Sequence, residues 1–543
     1  MTVTKPAYHS GASATTVISK SSAWTTTLGV AVVSLVYFGF MFLRASQKPF
    51  WLDELFTIYL CRLPDFKSTW TAVAHGADFN PPLFYLLTRG AERLFGEGMI
   101  ATRLPEMVGV WLFGVCLFFF VARRAGRLAG CIAGIFPFFT LAQYYAYEAR
   151  PHGITLGWCG LALVCWQRTA QERFRRWWLA GFGLSLIGAL MTHVYAVYLV
   201  FPFAAVELYS LLLRKRSRPG ARATDWSIVS VIALALALAI AVYLPMFRTF
   251  RILLPGGLSA LHGVIPLFFV NVLGSANVVL LLALGLFALG RRAPAEPGSA
   301  TSHVPDREVV LLTAFACIPV LGWIGCKFSH GPFFDRYFLS SLTGYACFLG
   351  LASSRIGNSG IGNPSRRARP WIAQALAVSM FVLMVGELGL AVRERMLRDS
   401  FSLVEPASKI TFSRTPRDPM SRDRVLRDLD AREDILVTEQ LHYIYLFRYA
   451  PAAVVQHLYF GAPAEGDFYR VSYDRLARWA HLDMKTTAFA PFLATHNRFL
   501  VYGSADGTFA PECGDCIQTF LDAGYTLKSA RPDLGGVLYA YER

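Results

Sequence analysis

Long apolar runs alternate with short polar joints over the first two thirds of the chain. Runs near 24–44, 103–122, 128–144, 152–167, 177–192, 195–213, 226–247, 266–289, 308–326, 337–353 and 371–392 each approach the roughly 20 residues needed to cross hydrocarbon. They predict an all-α polytopic membrane region over residues 1–392, with about 11 transmembrane helices. A further apolar stretch runs from Pro81-Pro82-Leu83 to Phe95, but Arg89, Glu92 and Arg93 interrupt it. That mixture suits a helix lying in the interface better than one buried in lipid, and proline is well placed at its start. This helix then belongs to a long first external loop, residues 45–102. Beyond Val392 the pattern changes. Charges become dense and short β-like runs occur at 435–437, 453–455, 499–502 and 536–539, with helical stretches at 440–449 and 515–524. Residues 393–543 are therefore expected to form a small α/β soluble domain. No internal repeat is evident.

Loop charge orients the spans. Lys5 and Lys20, Arg123 to Arg127, Arg168 to Arg176, Arg214 to Arg222, Arg291 to Arg307 and Arg355 to Arg369 fall on one side, which the positive-inside rule places in the cytoplasm. Counting 81–95 as a span would move every later cluster outside. With the chosen count, Asp53-Glu54, Asp78-Phe79-Asn80, Glu148-Ala149-Arg150 and the stretch from Lys327 to Arg336 share the outer face with the C-terminal domain.

Composition narrows the class. The 543-residue chain is 54% hydrophobic, more than a soluble protein of this length needs. Its formal charge of +16 would suggest nucleic acid in a soluble protein. Here the cations sit in short loops between spans, so the partners are membrane lipids and no nucleic acid. Residues 291–306 and 355–370 are Gly/Pro/Ser-rich linkers, and no cleavable signal peptide is evident. Eight of the ten cysteines lie in or beside apolar segments; Cys513 and Cys516 form a Cys-Gly-Asp-Cys pair in the polar region, a disulfide candidate on an oxidising side.

Four short motifs could carry chemistry. Asp53-Glu54 follows the first span directly; it is either a helix N-terminal cap or a general base beside the bilayer. Asp78-Phe79-Asn80-Pro81 is ordinary turn chemistry in the same loop. In Tyr144-Tyr145-Ala146-Tyr147-Glu148-Ala149-Arg150-Pro151-His152, an aromatic belt accounts for the tyrosines. It does not account for Glu148 beside Arg150, a pair that could bind phosphate or position a sugar. Phe334-Asp335-Arg336-Tyr337 places an arginine at an outer span end, either snorkelling or holding a lipid-linked phosphate. His75, His152, His193 and His330 map near the outer face without a metal-ligand spacing. Acids at span ends and the lack of repeated halves argue against a transporter, which would carry acids in mid-span. A non-catalytic protein that binds lipid-linked sugar is the third class.

Trp51-Leu52-Asp53-Glu54, Asn80-Pro81-Pro82-Leu83-Phe84-Tyr85, Arg103-Leu104-Pro105, Tyr147-Glu148-Ala149-Arg150-Pro151-His152 and Phe334-Asp335-Arg336-Tyr337, in this order over residues 24–345, resemble glycosyltransferase family 39. That group includes protein O-mannosyltransferases and the aminoarabinose transferases of lipid A. The resemblance implies the GT-C fold and a glycosyltransferase of the bacterial inner membrane, working on the periplasmic face with a polyprenyl-phosphate sugar donor and a lipid, glycan or protein acceptor. It implies Asp53, Glu54 and Glu148 as catalytic acids. Asp78, Asn80, Tyr147, Arg150, His152, Asp335, Arg336 and Tyr337 would line the substrate site. No cofactor is certain, and a divalent metal is the one the group admits. The chain departs from the aminoarabinose transferases where Asp78-Phe79-Asn80 replaces an acid followed by lysine before the proline, which weighs against aminoarabinose and against a metal held at that loop. A single displacement would invert the anomeric centre.

Overall fold

The computed structural model describes residues 20–215, 224–253, 265–277, 279–280, 304–329, 333–358, 370–398, 424–427, 429, 432–504, 516–532 and 536–543. Helix α1 (Lys20–Gln47) is the first span. The first loop follows as three short helices, α2 (Leu52–Cys61), α3 (Phe66–Ala74) and α4 (Pro82–Phe95). Helix α4 has 14 residues, about 21 Å at 1.5 Å per residue, too short to cross hydrocarbon. Its charged residues are not left in water. Buried Arg89 donates to the Cys61 carbonyl at 2.6 Å, and buried Glu92 accepts from Arg62 at 3.0 and 3.1 Å and from Thr102 at 2.6 Å. The polar face of α4 is thus the underside of α2, and Gly96 ends the helix at φ +88.

Helix α5 (Met99–Ile135) is broken at Gly126, where φ is 85 and ψ 169, into two arms. A Cβ on Gly114 would lie 2.7 Å from the Gly134 carbonyl, and one on Gly130 would lie 2.7 Å from the Phe118 carbonyl. Both contacts are centred on residue 124, so the two arms run antiparallel, a hairpin sealed by glycines. After α6 (Leu141–Tyr145), helix α7 (His152–Arg168) lies parallel to the first arm. A Cβ on Gly157 would stand 2.9 Å from the Gly109 Cα, and one on Gly160 would stand 3.1 Å from the Phe113 Cα. The chain thus re-emerges beside α2 at residues 144–152.

Among the described residues five helices are long and apolar enough to span, and six if the pair Asp306–Ala316 and Ile318–Phe328, bent by 48°, is one crossing. That is fewer than the expected eleven. The α5 hairpin accounts for two expected spans within one of these helices. Residues 152–168 and 342–358 form helices of 17 residues, short for hydrocarbon and packed among their neighbours. Much of the expected span 266–289 lies outside the described residues, as do His330 and most of both linkers.

The C-terminal region is a six-stranded mixed sheet in the order β3-β2-β1-β4-β6-β5. Strands β1 (Ile435–Val437), β2 (Leu458–Ala462), β3 (Lys485–Ala488) and β4 (Arg498–Ser504) are parallel. Strands β5 (Thr526–Pro532) and β6 (Gly536–Glu542) complete it antiparallel. The expected strand at 453–455 is instead a helix, Ala452–Val455, started by Pro451. Proline's fixed φ suits a first helical turn, and the apolar run supplies one buried side chain, Val454. Helices Gln440–Tyr449 and Phe468–Ala480 seat this domain on the loop. Phe56 stacks on Tyr473 at 5.8 Å, Tyr59 meets Phe447 at 6.3 Å and His75 stacks on Trp479 at 4.3 Å. The Phe50 amide donates to the Tyr449 hydroxyl at 3.0 Å, and one apolar core runs through both parts.

Candidate active site

Asp53 and Glu54 open α2. Successive residues on a helix point about 100° apart, so only one can face the opening. The Asp53 side chain keeps 23% of its surface exposed, while Glu54 is fully buried. Glu54 accepts from Arg103 Nε and Nη2, each at 2.7 Å, and from the Ala149 amide at 2.7 Å. Burial pushes this carboxyl up, but Arg103 beside it, Lys48 and the Ala149 amide outweigh that and hold it below its ordinary range. Arg103 also binds the carbonyls of Ala45 and Lys48 at 2.7 Å and of Pro49 at 3.2 Å. One ion pair therefore ties the end of α1, the start of α2 and the turn before α7.

Glu148 is likewise fully buried. It takes the Trp51 indole N–H and an ion pair with Lys48. The Lys48 ammonium also donates to the Tyr144 hydroxyl at 3.0 Å and lies 4.5 Å from the Tyr144 ring and 5.8 Å from Tyr147. Burial lowers this lysine to about 7. Tyr147 thus packs against Lys48, behind the opening.

The groups around Asp53 form a second layer. Arg150 Nη1 donates to the Asp53 carbonyl at 3.0 Å and to Asp78 Oδ2 at 2.8 Å; its Nε lies 3.9 Å from the Asp53 carboxylate. Although burial acts the other way, Asp78 and Asp53 hold this guanidinium above its ordinary value. Asp78 also accepts from the Tyr85 hydroxyl at 2.7 Å, which buried Asn80 adjoins. Arg336 closes the other side, its Nη2 3.8 Å from Asp53 Oδ2 and its guanidinium over the rings of Phe334 and Tyr337. Asp335 is directed elsewhere, accepting from Asn271 at 2.7 Å; burial raises its carboxyl. Beyond Arg336 opens a cleft of about 290 Å³ including its mouth, lined by His152, His193, Tyr195, Tyr337 and Ser340 among others. Tyr195 and Tyr337 stack at 4.2 Å, and the imidazoles of His152 and His193 lie 5.0 Å apart. Burial, with Arg150 and Arg336 nearby, lowers His193 to about 3, so it is neutral at physiological pH.

The fold brings together Asp53, Asp78, Asn80, Arg150, His152, Arg336 and Tyr337. It sets Glu54, Glu148 and Tyr147 behind them and Asp335 apart. Cys516 is disulfide-bonded, eight other cysteines are free, and Cys513 lies outside the described residues. Lys48 was not singled out from sequence; Tyr85 stood there only within the Asn80–Tyr85 motif and His193 only among the histidines near the outer face. Lys48 carries a signal in hindsight, since it falls between the end of the first apolar run and Asp53-Glu54. Among the described residues no group of three His, Cys, Asp or Glu could hold a metal ion. The carboxylates at the site, Asp53 and Asp78, both face guanidiniums, and a dication there would meet those first.

Residues 80–255 match the family described as dolichyl-phosphate-mannose-protein mannosyltransferase. The fold is similar to the crystal structure of ArnT from Cupriavidus metallidurans in the apo state, at 12% identity and TM-score 0.54, covering 96% of this chain and 98% of that one. The same protein bound to undecaprenyl phosphate matches at 13% identity and TM-score 0.51, covering 95% and 98%. The archaeal oligosaccharyltransferase AglB from Archaeoglobus fulgidus, in complex with an inhibitory peptide and a dolichol-phosphate, matches at 10% identity and TM-score 0.44, covering 90% and 70%. No curated protein matches in sequence.

Proposed function

We propose that the chain is a multi-pass membrane glycosyltransferase of the GT-C class, a reading supported by the family match over residues 80–255 and by the fold, and that it moves a sugar from a polyprenyl-phosphate donor to an acceptor hydroxyl, with inversion, at the outer face of the cytoplasmic membrane. The acceptor is a lipid, glycan or protein. The observation that carries the chemistry is a part-exposed carboxylate, Asp53, between two guanidiniums at 3.8 and 3.9 Å. Asp53 takes the proton from the acceptor hydroxyl as that oxygen bonds to the anomeric carbon. The bond from the anomeric carbon to the phosphate oxygen breaks, and its electron pair leaves with the phosphate. Arg336 and Arg150 offset the charge that develops there. Asp78 and Tyr85 keep Arg150 aimed, while His152 and Tyr337 line the cleft beside the reacting centre. Glu54 and Glu148 act through the groups they hold.

The outer-face placement is supported by the cationic loops at the opposite span ends. The charge pattern agrees with a helix α4 too short to cross and with the α5 hairpin, whose two arms return the chain to the face it left. The test is turnover by the purified protein of polyprenyl phosphates charged with different sugars, with the product anomer assigned by NMR. Failure to turn over any of them would sink the proposal; a retained anomeric configuration would sink the single displacement.

A further inference from the structure

Arg103 and Glu106 stand three residues apart at the start of α5, on one face of the helix, and both are fully buried. Arg103 reaches back to the chain around Asp53, through the carbonyls of residues 45, 48 and 49 and the Glu54 carboxylate. Glu106 reaches forward to the chain after Arg150, its Oε2 accepting from the Ile154 amide at 2.8 Å. Helix α7 has no cap of its own. Its N-cap residue is Pro151 and makes no side-chain hydrogen bond, so Glu106 supplies, from a neighbouring helix, an acceptor that a cap residue would give. The approach depends on Gly153, where a Cβ would lie 2.7 Å from the Glu106 carbonyl and 2.8 Å from its Oε2.

The second oxygen of Glu106, Oε1, is buried with no hydrogen-bond partner among the described residues. An ionisable group held within a membrane bundle is costly and commonly marks a task. The proton and phosphate steps above give Glu106 none.

We propose that Arg103 and Glu106 are paired positioning residues. One turn of α5 fixes the separation of two latches, and through them the separation of Asp53 from Arg150. The inference rests on the glycosyltransfer reading for its catalytic consequence, but its structural half can be measured without a donor.

The test uses the full-length protein and the variants Glu106→Gln, Glu106→Asp and Glu106→Leu. Glutamine keeps an acceptor for the Ile154 amide, aspartate draws it back by one methylene, and leucine removes it. Hydrogen–deuterium exchange of the peptide spanning residues 150–156 should match wild type in the glutamine variant and quicken in the other two. Since a misplacement of about 1 Å can cost about 10²-fold in rate, kcat per folded molecule should fall roughly 10–100-fold for leucine, less for aspartate, and within about threefold for glutamine. A residue that merely stabilised the bundle would lower the melting midpoint and leave kcat per folded molecule unchanged. Wild-type exchange in both the leucine and aspartate variants overturns the latch. A glutamine variant as impaired as leucine overturns it too, because charge and not the amide bond would then matter. If leucine prevents folding, aspartate decides alone. Wild-type protein that turns over no polyprenyl-phosphate sugar counts against the proposed function, and the exchange measurement still decides the latch.

Discussion

Asp53 and Glu54 are adjacent acids with opposite expected responses to loss of charge. Asp53 sits partly in water, 3.8 and 3.9 Å from its two guanidiniums, and pairs of that kind contribute about 0.2–1 kcal/mol each. Asp53→Asn should therefore cost little stability, but it removes the oxygen that accepts the hydroxyl proton, so turnover should fall about 10²–10⁴-fold. Glu54 is fully buried and makes three 2.7 Å hydrogen bonds, two from Arg103 and one from Ala149. Glu54→Gln leaves a buried guanidinium without its counter-charge and turns an amide N–H₂ toward donors. Removing one partner of a buried pair costs about 3–5 kcal/mol. At roughly 2–4 °C per kcal/mol for a large domain, the melting midpoint should fall by roughly 6–20 °C. The assay is thermal unfolding in detergent together with sugar transfer per folded molecule. The reasoning is refuted if Asp53→Asn turns over at the wild-type rate, or if Glu54→Gln keeps the wild-type midpoint and loses only turnover.

Arg336→Ala should weaken apparent donor affinity more than Arg150→Ala weakens it, because Arg150 is already shared with Asp78; equal donor affinity in both variants and wild type would mean that the phosphate binds elsewhere. Because Glu54 is held below its ordinary value of 4.5 when folded, its contribution is present above that pH and is lost as pH falls through the folded value. The wild-type midpoint should therefore drop on acidification below about 4.5 by more than that of Glu54→Gln, and parallel pH profiles would contradict this. A cysteine at Lys528, on the exposed strand β5, should react with an impermeant maleimide in intact spheroplasts; labelling only after permeabilisation would reverse the orientation.

What the sequence revealed depended on contrast. Acids and arginines at the ends of apolar runs stand out, so Asp53, Asp78, Glu148, Arg150 and Arg336 were visible as candidates, and the shared face followed from loop charge. The division of labour between Asp53 and Glu54 was not visible. It depends on which side of a ten-residue helix meets Arg103, 49 residues later. Arg103 was visible as part of the Arg103-Leu104-Pro105 motif, but its role was hidden for a similar reason: three of its partners are backbone carbonyls, which have no sequence signature. In the C-terminal domain β1, β4 and β6 were legible as apolar runs. Strands β3 and β5 were not, since their half-exposed and exposed side chains carry little apolar pattern, and the 453–455 run was apolar enough for a strand but began after a proline.

The seating of the C-terminal sheet region on the first loop also has a temporal side. The Phe50 amide, three residues before Asp53, is held by the hydroxyl of Tyr449, 399 residues further along the chain. At about 5–20 residues per second the ribosome needs roughly 20–80 s to supply it. During that interval Asp53 has been made, but the groups that complete its surroundings have not: first α5 and α7, then Arg336, and last the tyrosine that secures the start of the loop. A half-synthesised chain carries the loop with its surroundings unfinished, and a chain truncated before residue 449 lacks the hydroxyl that holds Phe50. Synthesis of residue 449 becomes a late step in assembling the loop around Asp53.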